Sequence, residues 1–454
     1  MEYKGGRVVR SDAHQNTGRE ITWGLVRFSL PLILSGMLQQ LYNWVDALIV
    51  GNMEGEVALG AIGVTSSPIN FFVTLMTGFT LGLSVWVARS FGEKRTEHIP
   101  SILSLFSLVG LLLFAVVGGL GLCFSRQFLL LLRTPADALP PAVDYIRVIG
   151  LGFPFLAVYN VYSAVLRGIG DSRTPFLSIV ISSLVNVVLD LLFVVVLGMG
   201  VRGAAIATVL SQIAMTVFTV VYSSRKHTLL RFSPVRTGWR ELLSRGASFG
   251  FPPMLQSCIT SLGILVLQNF MNGFGTQTVT AITSAYRIDT LVLLPVVNLS
   301  AGISTFTAHS YGEGDSVRER QVLRAGLGVM FVVSLVLTAI VVPTGGKLIG
   351  LFGAGEEAVA IGSAFFVRLA SFYPIYGLAN AYRGYLEGIG DLVYSSAIGI
   401  VCLLVRIGLS YLLEPFSGNM VIAYAEMISW VLLLALYFMR ATQKRKERWN
   451  VNFR

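Results

Sequence analysis

Asn186 and Asp190 stand four residues apart inside an apolar run, 183–198, long enough to lie in lipid. On a helix that spacing puts both side chains on one face, about 6 Å from each other. An ionisable group inside a bilayer segment is expensive to keep and marks a site for ions, protons or substrate. Two further polar groups, Asp46 and Thr208, lie on neighbouring apolar stretches. At 1.5 Å per residue from the outer ends of their segments, Asp46 is about 6–8 Å deep, Asp190 about 12 Å and Thr208 about 8 Å. All four groups are therefore expected in the outer half of the membrane. Two carboxylates with an amide and a hydroxyl offer the hard oxygens that a cation prefers. Without a metal, close like charges in a low dielectric favour a bound proton, so one site suits H⁺ or Na⁺.

The elements that must position these groups follow from composition. The chain has 454 residues, 54% of them hydrophobic and only 13% charged, against about 25% charged in soluble domains. It reads as an all-α polytopic membrane protein. Residues 1–22 are polar and lack an apolar core or a small-residue cleavage site, so no signal peptide is expected. Apolar segments run over roughly 23–50, 57–88, 100–123, 141–166, 175–198, 203–222, 247–272, 278–309, 322–342, 358–386, 392–413 and 419–440. Each is near or above the roughly 20 residues a helix needs to cross a bilayer, which predicts twelve transmembrane helices. Basic residues crowd the tails and even-numbered loops (Lys94, Arg95, Arg173, Arg225, Lys226, Arg318, Lys444), while the odd-numbered loops hold few. That asymmetry puts both termini in the cytoplasm and explains the net charge of +10 without nucleic acid. Cys123, Cys258 and Cys402 lie singly in apolar segments and read as buried free thiols.

The stretch 223–246 divides the chain into an N-terminal lobe, 23–222, and a C-terminal lobe, 247–440, flanked by tails at 1–22 and 441–454. The halves repeat at an offset of 220 residues: Phe91-Gly92-Glu93 answers to Tyr311-Gly312-Glu313, and Leu166-Arg-Gly-Ile-Gly-Asp171 to Leu386-Glu-Gly-Ile-Gly-Asp391. Six spans per unit give both copies one orientation, so they should relate by an axis along the membrane normal with a cavity between them. The acids do not repeat. Positions 406, 410 and 266, which match Asn186, Asp190 and Asp46, are Arg406, Ser410 and Val266. The second half instead carries Arg287, Asp289, Arg406 and Glu426, a balanced set that reads first as ion pairs.

Pro31 with Tyr42-Asn-Trp-Val-Asp46, the Leu166 to Pro175 loop, Asn186-x-x-x-Asp190 and Gly203-Ala-Ala-Ile-Ala-Thr208 resemble the multidrug and toxic compound extrusion (MATE) family, most closely its DinF-like and archaeal-type branch. The resemblance covers nearly the whole chain. It implies two pseudo-symmetric six-helix lobes forming a V, and export of organic cations against an inward flow of H⁺ or Na⁺. It also implies an ion site at Asp46, Asn186, Asp190 and Thr208. The acidic sodium ligands that the NorM branch is expected to place in its seventh and tenth spans have no counterpart here, since 247–272 and 358–386 contain no acid.

Candidate cavity residues are Gln39, Gln40 and Tyr42 in the first span, Phe153 and Tyr159 in the fourth, Gln256, Arg287, Asp289 and Arg406 in the second half, and Tyr376 in the tenth span. Aromatic rings suit flat cations through stacking and cation–π attraction, and ordinary bundle packing is the plainer role for any one of them. Other motifs fail on context. Gly246-Ala-Ser-Phe-Gly250 lacks the strand and histidine of a hydrolase, and Gly198-Met-Gly-Val-Arg-Gly203 lacks a βαβ unit. With no Walker motif, no metal-ligand cluster and dispersed histidines, the expectation is a secondary transporter without cofactor or resident metal, apart from Na⁺ at the ion site. It should work as a monomer in the cell's inner or plasma membrane. The rival is a lipid-linked oligosaccharide flippase, whose anionic cargo would need Arg287 and Arg406.

Overall fold

Lipid offers the backbone no water to bond, so apolar segments of this length close their N–H and C=O groups within helices. A computed structural model describes residues 18–233, 238–350 and 355–452, and among these there is no strand. Lys4, Arg7 and Arg10 of the basic N-terminal tail lie outside the described residues. The first lobe comprises α1 (Gly18–Gly92), α2 (Ile99–Leu131), α3 (Leu139–Gly168), α4 (Arg173–Asp190) and α5 (Gly200–Lys226). In the second are α6 (Trp239–Met271), α7 (Thr276–Val292), α8 (Leu294–Gly312), α9 (Ser316–Gly350), α10 (Glu356–Ala370), α11 (Tyr373–Gly388), α12 (Leu392–Ser417) and α13 (Val421–Asn452).

Among the described residues, ten stretches are long and apolar enough to cross a membrane. The bent pair α10 and α11, turned by 48° at their junction, makes another, and the last stretch, Leu392–Glu447, is itself two helices. Counted so, the chain makes the twelve crossings expected. Helices overrun the expected boundaries: α5 and α6 extend into 223–246, and α13 continues past residue 440. Residues such as Lys, Arg, Gln and Glu are good helix formers, so a helix leaving the bilayer has no cause to stop there. Cys123 is exposed on α2 instead of buried, because the stripe bearing Leu120, Phe124 and Leu131 faces outward from the bundle.

The repeat is written into the backbone. Left-handed φ angles recur at the 220-residue offset: Gly55 (80°) with Gly275 (85°), Lys94 (60°) with Gly314 (75°), Gly170 (89°) with Gly390 (87°), and Gly198 (60°) with Gly418 (54°). At Gly170 and Gly390 a side chain would collide with its own backbone, so glycine makes the turn after α3 and α11. The next residue ties each turn to the last helix of its own lobe. Asp171 accepts hydrogen bonds from Thr174, Lys226 (2.8 Å) and His227 (2.9 Å); Asp391 accepts from Arg440 at 2.7 Å. Burial alone would push the Asp171 carboxyl up, but the bonds from His227, Lys226 and Thr174 outweigh it and hold the carboxyl well below the usual carboxylate range.

Each lobe has its own core. One is built around Phe153, Tyr145, Ile149, Val201 and Met215, the other around Phe365, Phe366, Tyr373, Ile422 and Trp430. The lobes touch near the basic end of the bundle. Trp86 stacks on Phe249 across the divide at 6.1 Å, and Phe306, the counterpart of Trp86, packs on Phe28 at 5.7 Å. From this apex the lobes diverge as a V.

Candidate functional site

Asp46 sits on the first half of α1, and Asp190 ends α4 with Asn186 one turn before it. All three are buried, with 9%, 0% and 1% of their surface exposed. The fold brings the two carboxyls within hydrogen-bonding reach of each other. Yet Asp46 Oδ1, both carboxyl oxygens of Asp190 and both polar atoms of Asn186 have no partner among the described residues. The two facts agree chemically. An ionised carboxylate only accepts, so two of them face each other without a donor until a proton or cation comes between.

Sequence reasoning missed the surroundings of this pair. Directly after Asp190 the helix widens into a π-helical turn, Leu191–Val196, in which the Leu197 N–H reaches back to the Leu192 carbonyl at 2.9 Å. Such turns are uncommon and concentrate at functional sites. The run Leu-Leu-Phe-Val-Val-Val reads only as apolar and gives no hint of it. The phenols of Tyr42 and Tyr145 lie close enough to feel both acids, and the Tyr42 hydroxyl bonds to Gln39.

Other expected members fare differently. Thr208 is half-buried on α5, and among the described residues no hydrogen bond links it to the acids; its carbonyl accepts the Ser211 hydroxyl at 2.8 Å. Phe153 packs against Phe72 and Phe114 inside the first lobe's core, and Tyr159 is buried in the same core. Tyr376 packs on Trp430 at 4.7 Å, and Gln256 accepts a bond from Arg383 at 3.3 Å. Gln39 is exposed, with Gln40 and Tyr42 partly so, which leaves the first span open to a ligand.

The four charges of the second lobe separate. Arg406 donates to Glu426 and to the Tyr286 hydroxyl at 2.8 and 2.7 Å, an ion pair as expected from charge balance. Asp289 is buried and accepts from the Tyr373 hydroxyl, while Arg287 is exposed. Among the described residues, an acid pair without a basic neighbour in one lobe and a neutralised network in the other make the molecule electrostatically lopsided.

Two pseudo-symmetric helical lobes joined at one end, with a facing pair of buried carboxyls in one of them, define a class: a multi-pass membrane protein of the two-lobed transporter type. The chain belongs to the MatE family, whose model matches it twice, over 31–192 and 252–412, one stretch in each lobe. It is similar to the "Probable multidrug resistance protein YoeA" of Bacillus subtilis, 26% identical over 92% of this chain and 94% of that protein. The "Multidrug export protein MepA" of Staphylococcus saprophyticus is 24% identical over the same shares. The fold matches a solved outward-facing multidrug resistance MATE family transporter of the MOP superfamily, with TM-score 0.87 and 23% identity over 94% of this chain and 96% of that one. A Pyrococcus furiosus transporter of the MOP superfamily, described as having a binding pocket of reverse polarity, matches with TM-score 0.86 and 24% identity over the same shares.

Proposed function

We propose that the protein is a multidrug efflux antiporter of the cell membrane, with both termini cytoplasmic, exporting organic and mostly cationic compounds in exchange for H⁺ or Na⁺. The observation that carries this reading is the Asp46–Asp190 pair: two carboxyls buried together with no base in contact among the described residues. A buried pair of this kind holds an unmet demand for one positive charge. In the outward-open state an ion enters and is shared by the two acids, with Asn186 one turn away to supply an amide oxygen to Na⁺. Neutralised, the first lobe repacks, the drug leaves outward, and the ion is released once the site faces inward. Differential affinity for the ion in the two states is what drives the shift. The names of YoeA and MepA support the multidrug assignment. The flippase reading is weakened because Arg406 is already neutralised by Glu426, leaving Arg287 alone for an anion.

The test is substrate-evoked pH change inside proteoliposomes, with and without Na⁺, using ethidium as the cation. Proton movement that needs ethidium supports H⁺ exchange, and ethidium movement that needs Na⁺ supports Na⁺ exchange. Ethidium flux indifferent to both gradients refutes the antiport.

A further inference from the structure

The lobes meet along a seam with its own two-fold logic, and two polar side chains cross it. A carbon placed on Gly92 would lie 2.3 Å from the His309 carbonyl oxygen, and one on Gly312 would lie 2.4 Å from the Arg89 carbonyl oxygen. Gly312 is the counterpart of Gly92 at the 220-residue offset, and His309 that of Arg89. Higher in the seam, Gly82 would meet the Phe249 carbonyl at 2.0 Å, and its counterpart Gly302 would meet the Ser29 hydroxyl at 2.3 Å. Backbones approach this closely only where no side chain intervenes.

His309 and Arg89 each reach over this seam to the glycine turn of the opposite lobe. His309 Nε2 lies 2.7 Å from the Gly168 carbonyl, and its ring rests 5.4 Å from that of Phe91. A carbonyl only accepts, so Nε2 carries the proton. The Arg89 guanidinium lies 4.8 Å over the Tyr311 ring and beside Gly390, while its Nε is held by Glu93 at 2.9 Å. Each lobe thus supplies one polar arm and one glycine turn.

We infer that His309 and Arg89 are a paired latch that holds the basic end of the cleft shut, and that their release sets how often the transporter opens to that side. The latch shares no residue with the acid pair. Glycine at 92 and 312 lets the seam close; the two arms decide how firmly. Because His309 Nε2 bears hydrogen in the neutral tautomer used here and in imidazolium alike, the arm does not require a particular pH. This inference rests on the alternating-access reading, and its test needs neither ion nor substrate, so failure here leaves the antiport proposal standing.

Spin labels at Glu97→Cys and Val317→Cys, exposed counterparts on either side of the seam, report its opening in the full chain, with the three native cysteines replaced by alanine. In lipid nanodiscs without substrate the distance distribution should be dominated by the closed separation. Loss of one neutral hydrogen bond in His309→Ala should raise the open-to-closed ratio about two- to tenfold. His309→Gln, which restores an N–H donor, should bring it most of the way back. Gly312→Ala keeps both arms but places a methyl at the Arg89 carbonyl, and should shift the ratio in the same direction. Distributions unchanged in both His309→Ala and Gly312→Ala, or His309→Gln behaving as His309→Ala, would overturn the latch.

Discussion

Replacing Asp190 by asparagine should make the protein more stable and less able to work. The volume is nearly unchanged, so packing around the π-helical turn is kept. In the ionised wild type, Asp46 and Asp190 face one another with no donor between them, and both oxygens of Asp190 are unpartnered among the described residues. An amide at 190 supplies the missing N–H and removes one of two like charges. A hydrogen bond to a charged acceptor contributes about 1.5–3 kcal/mol. At roughly 2–4 °C per kcal/mol for lobes of about 200 residues, the melting midpoint should rise by about 3–12 °C. The gain belongs to the deprotonated pair: it should be largest at alkaline pH and fade as acid supplies the wild type with its own shared proton. Thermal melts of purified protein in detergent across pH give the stability, and ethidium efflux in proteoliposomes under an imposed ion gradient gives the function. The variant should export at the level of empty vesicles. A melting point at or below wild type in alkaline buffer, or export equal to wild type, would refute the assignment.

The second lobe yields a contrasting pattern. Arg406→Met strands Glu426 in the core and should cost about 3–5 kcal/mol, whereas the double change with Glu426→Leu should restore most of the loss, both read from melting midpoints. Asp171→Asn tests the tie between the glycine turn and the end of α5. A carboxyl held below its ordinary range stabilises the fold above that range and loses its contribution as pH falls through it. The variant should therefore melt lower than wild type at neutral pH and match it in strong acid; equal melting points at neutral pH would rule out the tie.

Most of the architecture was legible because lipid imposes coarse, long signals. Apolar length marks each crossing, basic residues mark the loops, and the repeat at Gly170-Asp171 and Gly390-Asp391 survives because the turns need those residues. The acid pair was legible for a similar reason: a carboxylate in an apolar run has few explanations. What failed depends on helix rotation, which periodicity does not resolve when every face of a span is apolar. Phe153 and Tyr159 read as cavity rings, and their burial in the first lobe's core was not legible. Charge balance anticipated Arg406 with Glu426, yet could not tell that Asp289 would be satisfied by a phenol and that Arg287 would stay exposed. The π-helical turn after Asp190 had no signal at all, since the run Leu191–Val196 reads only as apolar.

The corners of the two halves match almost angle for angle, while the acids survive in only one. Under the proposed exchange, a single negative locus trading one monovalent drug for one proton moves no net charge across the bilayer. Voltage would then do no work on the cycle, and export would follow the concentration gradient of the ion alone. On that exchange, duplication would have left one metered inlet in the first lobe, with the second half as its counterweight.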